Sequence, residues 1–322
     1  MTPRLTTLVI VGLVALVGSA PLWATPYHIT LMIPAMAYGI ALLGLNLLFG
    51  YAGLLSFGHA MFVGIGAYTT AVFTSKLGIR SFELVLVASA VAAALFAIPI
   101  GLLTVRYVRI FFGMLTLAFG MLFHSFLFKF YHLTGGDSGM RVVRPTLLGQ
   151  DTQELDKIAF LTGPFFLYVL ALLVILGLVM LRIVHSPFGL HLKALRENAR
   201  KAEYLGVTVR RFRLAAFVIS AIYCSIGGVI LAVPTGIADP ELAYWTHSGN
   251  LIFMTLLGGF TNFFGPILGA FSFILLQDQL MSATQYWRFF LGVVLALIVI
   301  LFPRGLMGIL ESLMARFSRG RS

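Results

Sequence analysis

Runs of about 20 apolar residues, the length that crosses a hydrocarbon core, recur along the whole chain, and no other feature restricts its fold as much. Candidate crossings fall at 5–23, 28–48, 54–75, 82–105, 110–131, 161–183, 213–234, 250–277 and 288–303. Their recurrence excludes a soluble domain carried on a single anchor. Of the 322 residues, 60% are hydrophobic and 10% are charged, against about 25% charged in a soluble globular domain. The fold class is therefore all-α, one polytopic transmembrane domain over 1–322. Residues 1–24 carry Arg4, an apolar core and Ser19-Ala20, the layout of a signal peptide, but Pro21 and Trp23 sit awkwardly for cleavage. They read as an uncleaved first helix.

The polar interruption between two apolar halves, Ser186 to Gly206, gives the chain its orientation. With its flanks (Arg182, Arg210, Arg211, Arg213) it gathers eight of the 22 Lys and Arg residues. Placing 184–212 in the cytosol puts Arg4, Arg106, Arg109, Arg304 and the tail arginines 316, 319 and 321 there too, fifteen in all. The loop 132–160 then lies outside, with Asp137, Asp151, Glu154 and Asp156. A net charge of +11 would suggest nucleic acid in a soluble chain; here orientation accounts for it, and no nucleic-acid partner is expected. A cytosolic tail requires an even number of crossings after residue 212. The stretch 256–270 supplies the extra one, because Gly258-Gly259 and Gly265-Pro266 break it into two short crossings or a re-entrant pair. The expected architecture has about ten crossings with broken helices, and both termini in the cytosol.

Within 186–206, Leu192, Leu195, Ala199 and Ala202 form one stripe of a single helix, and Lys193, Arg196, Glu197, Arg200 and Lys201 fill the rest. Glu197 to Lys201 is a well-oriented i,i+4 pair. Pro187 and Gly189 open the segment as a turn, and Gly206 stops it. Such a segment is either an ordinary positive-inside anchor or a helix that docks on a soluble partner, with its charged face, led by Arg196 and Glu197, making the contact.

A second glycine-rich stretch, Gly50 to Thr69, places Gly58, Ala60, Gly64, Gly66 and Ala67 at spacings that let helix backbones approach closely. It reads as tight helix packing, or as a broken helix lining a substrate path with Asn46, Ser56 and His59 as its polar groups. His59 has no acidic neighbour in the stretch and reads as a packed histidine; the seven histidines show no metal-ligand spacing. The one cysteine, Cys224, lies in an apolar run, so no disulfide or thiolate site arises.

Two absences from the sequence narrow the function. No Asp or Glu stands in the middle of a crossing, where an ion-driven carrier usually keeps its coupling group. No G-x-x-x-x-G-K-[S/T] occurs, so the chain has no phosphate-binding loop of that kind. A path without its own energy source points to an energised complex. A single-chain secondary carrier or channel is the alternative.

Six stretches in order carry a family resemblance: 50–69, F-F-G-M-L-T-L-A-F-G (111–120), T-G-G-D-S-G (134–139), S-P-F-G…L-R-E-N…A-E-Y-L-G-V (186–207), G-G-F-T-N-F-F-G-P-I-L-G-A (258–270) and F-P-R-G-L-M-G (302–308). The chain resembles the M-type permease subunits of branched-chain amino-acid ABC importers. The resemblance implies pairing with a related H-type permease, two cytosolic ATP-binding subunits and an extracytoplasmic solute-binding protein, in a bacterial inner membrane. The chain itself would be no enzyme and hold no cofactor, ATP being hydrolysed by partners. The solute would be a branched-chain or other hydrophobic amino acid, or a relative such as urea, an amide or an aromatic acid. Substrate-path candidates are Asn46, Ser56, Gly58, His59, Thr116, Gly258, Gly259 and Asn262. The loop 184–212 would be the coupling loop, with Phe188, Arg196, Glu197, Arg200, Glu203 and Gly206 at the ATPase. Phe112-Gly113 and Tyr204 depart from the family pattern, which has Phe-Ala and a small residue there.

Overall fold

The computed structural model describes residues 17–108, 110–302 and 305–309. Most of the expected first crossing, Arg4, Arg109, Arg304 and the basic tail lie outside the described residues. The chain is mainly helical. In order, α1 is Pro26–Asn46, α2 His59–Ala71, α3 Phe82–Thr104, α4 Ile110–Lys129, α5 Lys157–His185, α6 Pro187–Tyr204, α7 Val209–Thr235, α8 Trp245–Gly258, α9 Gly265–Ala283 and α10 Trp287–Leu301. Two-residue strands β1 (Met140–Arg141) and β2 (Ile237–Ala238) form an antiparallel ladder. Among the described residues five spans are long and apolar enough to cross a membrane, namely α3, α4, α5, α7 and α1 with its extension to Tyr51.

The helices α1, α2 and α7 form the centre. Along their most apolar windows α1 is 78% buried and α7 83%, against 22% for α5. Apolar attraction between helices is weak in lipid, so close backbone contact has to hold such a bundle together. Here it does: a Cβ on Gly66 would sit 1.9 Å from the Ser225 carbonyl oxygen, and one on Gly228 2.0 Å from that of Val63. Within the small-residue pattern of 58–67, Gly66 faces α7, whereas Gly58 faces Thr116 of α4 and Gly64 faces Ala243. At the periphery α3 exposes Leu84, Val87, Val91, Leu95, Ile98 and Leu102, one apolar stripe at helical spacing. Contiguous exposed apolar surface of this kind belongs against lipid or another subunit.

Contacts sort the helix ends into two layers. At one end the Tyr27 hydroxyl donates to Asp278, Lys76 Nζ donates to the Leu133 carbonyl at 2.8 Å, and β1 pairs with β2. At the other, the Phe49 and Phe260 rings lie 4.9 Å apart, and Gly305 packs against the backbone of Gly259. The α6 helix lies at this second end.

Four expectations need correction. The crossing expected from residue 54 begins as a helix only at His59, because α1 runs into a wide turn at Leu47–Tyr51 and residues 52–58 are not helical. The expected single helix over 186–206 is broken at Asn198 (φ −154°, ψ 96°), whose Oδ1 accepts the Lys201 N–H at 3.0 Å and caps a new turn. The Glu197–Lys201 pair therefore spans the kink and is no i,i+4 pair on a continuous helix. Finally, Pro187 is the first helical residue after Ser186, so 187–189 begins α6 instead of a separate turn. The break in 256–270 falls as read: α8 stops at Gly258, Gly259 takes φ 102°, and α9 starts at Gly265-Pro266.

Candidate translocation path and docking helix

The non-helical residues 52–58 deliver Ser56 and Gly58 to the start of α2, an end at which a helix leaves its first backbone N–H groups without partners one turn back. One of these, the Ala60 N–H, donates to Ser248 Oγ at 2.9 Å, which brings α8 against the start of α2. His59 Nδ1 lies 2.7 Å from Ser56 Oγ, and Nε2 lies 2.8 Å from Ser220 Oγ on α7. Both ring nitrogens are thereby engaged, and Phe62 and Phe217 meet the ring edge-on at 5.6 Å. A neutral imidazole donates through one nitrogen and accepts through the other, so the two serines play opposite roles. His59 is thus a packed, hydrogen-bonded histidine that joins three segments.

Gly58 allows the approach of α4: a Cβ there would sit 2.1 Å from the Thr116 carbonyl oxygen. Thr116 is buried, with Oγ1 donating to the Gly113 carbonyl at 2.9 Å. The structure therefore brings together Ser56, Gly58, His59 and Thr116. Ser220 and Ser248 belong to the same cluster and escaped the sequence reading; Ser220 is a hydroxyl inside an apolar run, and Ser248 sits among polar residues at the start of α8. We expect Ser220→Ala to lower stability by about 1 kcal/mol, the usual worth of a hydrogen bond between membrane helices. Thermal unfolding in detergent measures it, and an unchanged midpoint would mean His59 gains nothing from Ser220.

The remaining path candidates form a second group. Asn46 is buried, and its Oδ1 has no hydrogen-bond partner among the described residues. Gly258 lies against the Gly265 carbonyl oxygen, at 1.8 Å from a Cβ built on it, and Asn262 occupies the turn that follows Gly259. Gly50 links the two breaks, since a Cβ there would sit 2.3 Å from Asn46 Oδ1 and 2.6 Å from the Phe260 carbonyl oxygen.

The α6 helix is anchored and exposed at once. Leu192, Leu195 and Ala202 of its stripe are buried, and Ala199 is half-buried. Phe188 and His191 stack on Phe212 of α7 at 5.6 and 4.8 Å, so Phe188 serves as an anchor. Arg196 Nη1 donates to the Gly50 carbonyl, and its guanidinium lies 5.4 Å over the Phe260 ring. Glu197, Arg200 and Glu203 are exposed. The helix closes with Gly206 at φ 87°, the Gly206 N–H bonding to Glu203 O at 2.9 Å and the Val207 N–H to Ala202 O at 3.1 Å, a Schellman motif. Just before it Tyr204 is 89% and Leu205 85% exposed.

A polytopic bundle with interrupted helices, a polar cluster between them and a separate basic helix at one end is the build of a membrane transport permease. Residues 27–300 match the family described as branched-chain amino acid transport system / permease component. The chain belongs to that family. It is 30% identical over 320 residues to the high-affinity branched-chain amino acid transport system permease protein LivM of Escherichia coli (strain K12), covering 93% of this chain and 74% of the relative. Against the LivM protein of Salmonella typhimurium LT2 the identity is 32%, covering 84% and 68%. The LivH permease of the same organism is 25% identical, covering 84% of this chain and 91% of the relative. No solved structure matches. The chain is a transporter subunit, not an enzyme.

Proposed function

We propose that the chain forms one half of the path of an ABC importer for branched-chain or other small hydrophobic amino acids, in a bacterial inner membrane. The observation that carries this reading is its similarity, over most of its length, to permeases of both the M and the H type. Two related halves of one path are expected to share a fold, and the H-type permease is then the natural partner. Two cytosolic ATP-binding subunits supply the energy, and an extracytoplasmic binding protein delivers the solute.

Counting from the two layers of helix ends supports ten crossings. The described helices apart from α6 make nine passes, and residues 5–23 would add the tenth. The pass containing α8 needs help. Its 14 residues span about 21 Å at 1.5 Å each, less than a hydrocarbon core of about 30 Å. The turn Pro240–Ala243, packed beside Gly64, covers the outer part of that pass. This orientation puts α6 and both termini in the cytosol. A cysteine at the exposed Glu154 should react with an impermeant reagent from outside, and one at the exposed Glu203 should not. Outside labelling at both positions would break the ten-pass arrangement.

The pairing is tested by co-expression. Tagged chain should retain an H-type permease and the ATP-binding subunits through detergent purification. Recovery of the chain without either would favour a single-chain carrier.

A further inference from the structure

We propose that Arg196 is a positioning residue that clamps the cytosolic helix to both interrupted segments, so that movement of α6 is passed directly into the breaks at 47–58 and 259–264. The inference rests on the importer reading above and adds the route by which force enters the membrane.

The guanidinium touches two pieces of chain that are distant in sequence. Its Nη1 donates to the carbonyl of Gly50, in the turn that ends the extended α1. The last carbonyls of a helix have no partner of their own and sit at its negative end, so a fixed cation there satisfies a group that would otherwise be orphaned. The same guanidinium lies 5.4 Å over the Phe260 ring, within the distance of about 6 Å at which cation and ring attract. Phe260 immediately follows Gly259, where φ of 102° ends α8. Phe49 packs on Phe260 at 4.9 Å, so the two breaks also touch one another beneath the clamp. Gly53 packs against one side of the arginine stem, where a Cβ would lie 2.9 Å from Arg196 Cγ. Lys193, one turn earlier, lies 5.3 Å over Tyr51, a second hold on the same turn of α1.

The kink at Asn198 gives this clamp its use. It divides α6 into a first part, stacked on Phe212 and tied to the breaks, and a short second part ending at the exposed Tyr204 and Leu205. Displacement of the second part turns the first about its anchors. A rigid planar fork transmits that displacement to Gly50 and Phe260 together, which a flexible ammonium does not reproduce.

The test uses the complete complex with its ATP-binding subunits and binding protein, reconstituted with wild-type chain, Arg196→Lys or Phe260→Leu. Solute moved per ATP hydrolysed is measured. In parallel, the distance between spin labels at Thr261 and Glu154 is followed with and without ATP. Both variants retain the anchoring contacts of α6, so assembly by gel filtration is expected to persist. Solute per ATP should fall by about tenfold, within the range of ordinary coupling between sites, and the ATP-dependent change at Thr261 should shrink. Wild-type coupling and an unchanged distance response in both variants would overturn the clamp. A wild-type chain that recruits no ATPase would overturn the importer reading, and the clamp's role with it.

Discussion

Gly58→Leu and Gly259→Leu should each reduce transport by more than tenfold. At Gly58 the obstacle is backbone: a Cβ would lie 2.1 Å from the Thr116 carbonyl oxygen, and no rotamer change relieves it. The start of α2 would have to leave α4, carrying with it the hydrogen bonds of His59 to Ser220 and of Ala60 to Ser248. Overpacking typically costs about 1–3 kcal/mol, and separating these groups adds the cost of unpaired polar atoms. At Gly259 the obstacle is conformational, because φ of 102° and ψ of 102° is a region that L side chains rarely adopt. Gly305 also packs there, with a Cβ on it 2.5 Å from the Gly259 nitrogen. Gly292 of α10 is the control, being exposed and, among the described residues, free of neighbours within 4 Å of a Cβ; Gly292→Leu should transport within about twofold of wild type, as surface changes usually do. Uptake and the yield of assembled protein together decide the matter. Equal behaviour of all three variants would mean the breaks are spacers.

Tyr204→Ala with Leu205→Ser should weaken ATPase binding by about thirtyfold, the equivalent of about 2 kcal/mol for an interface hot spot, while leaving the permease folded. The two side chains are 89% and 85% exposed and sit on a turn held by the Schellman bonds of Gly206. Their removal therefore takes nothing from the core. A rigid turn presenting a tyrosine and a leucine beyond a basic helix is suited to insert into a groove on a soluble partner, since aromatic anchors dominate such contacts. Titration of purified ATP-binding subunits onto the reconstituted permease measures the change. Unaltered affinity would reduce α6 to an orientation anchor.

Much of this arrangement can be read from residue types, and the limits of that reading have physical causes. The break between α8 and α9 is legible because Gly-Gly and Gly-Pro interrupt a helix almost regardless of context. The end of α6 is legible because Gly206 follows an amphipathic run whose apolar positions, Leu192, Leu195 and Ala202, are the ones buried. The kink at Asn198 is not, because its flanks are good helix formers and a single asparagine, which caps the new turn through Lys201, is a weak signal within them. The late start of α2 is hidden because residues 52–58 are nearly as apolar as a helix in lipid. The hold of Arg196 on the breaks is likewise invisible, since its partners are a backbone carbonyl 146 residues away and a ring at Phe260, far along the chain in the other direction. The polar cluster is half legible: His59 and Ser56 lie close in sequence, whereas Ser220 joins them only through the packing of α7 on α2.

The most direct measurement of the central claim is solute uptake into sealed vesicles holding this chain with its H-type partner, the ATP-binding subunits and the binding protein. The account predicts uptake that requires ATP and all the subunits, and that does not respond to a proton or sodium gradient. Uptake by vesicles containing this chain alone, driven by such a gradient without ATP, would contradict it.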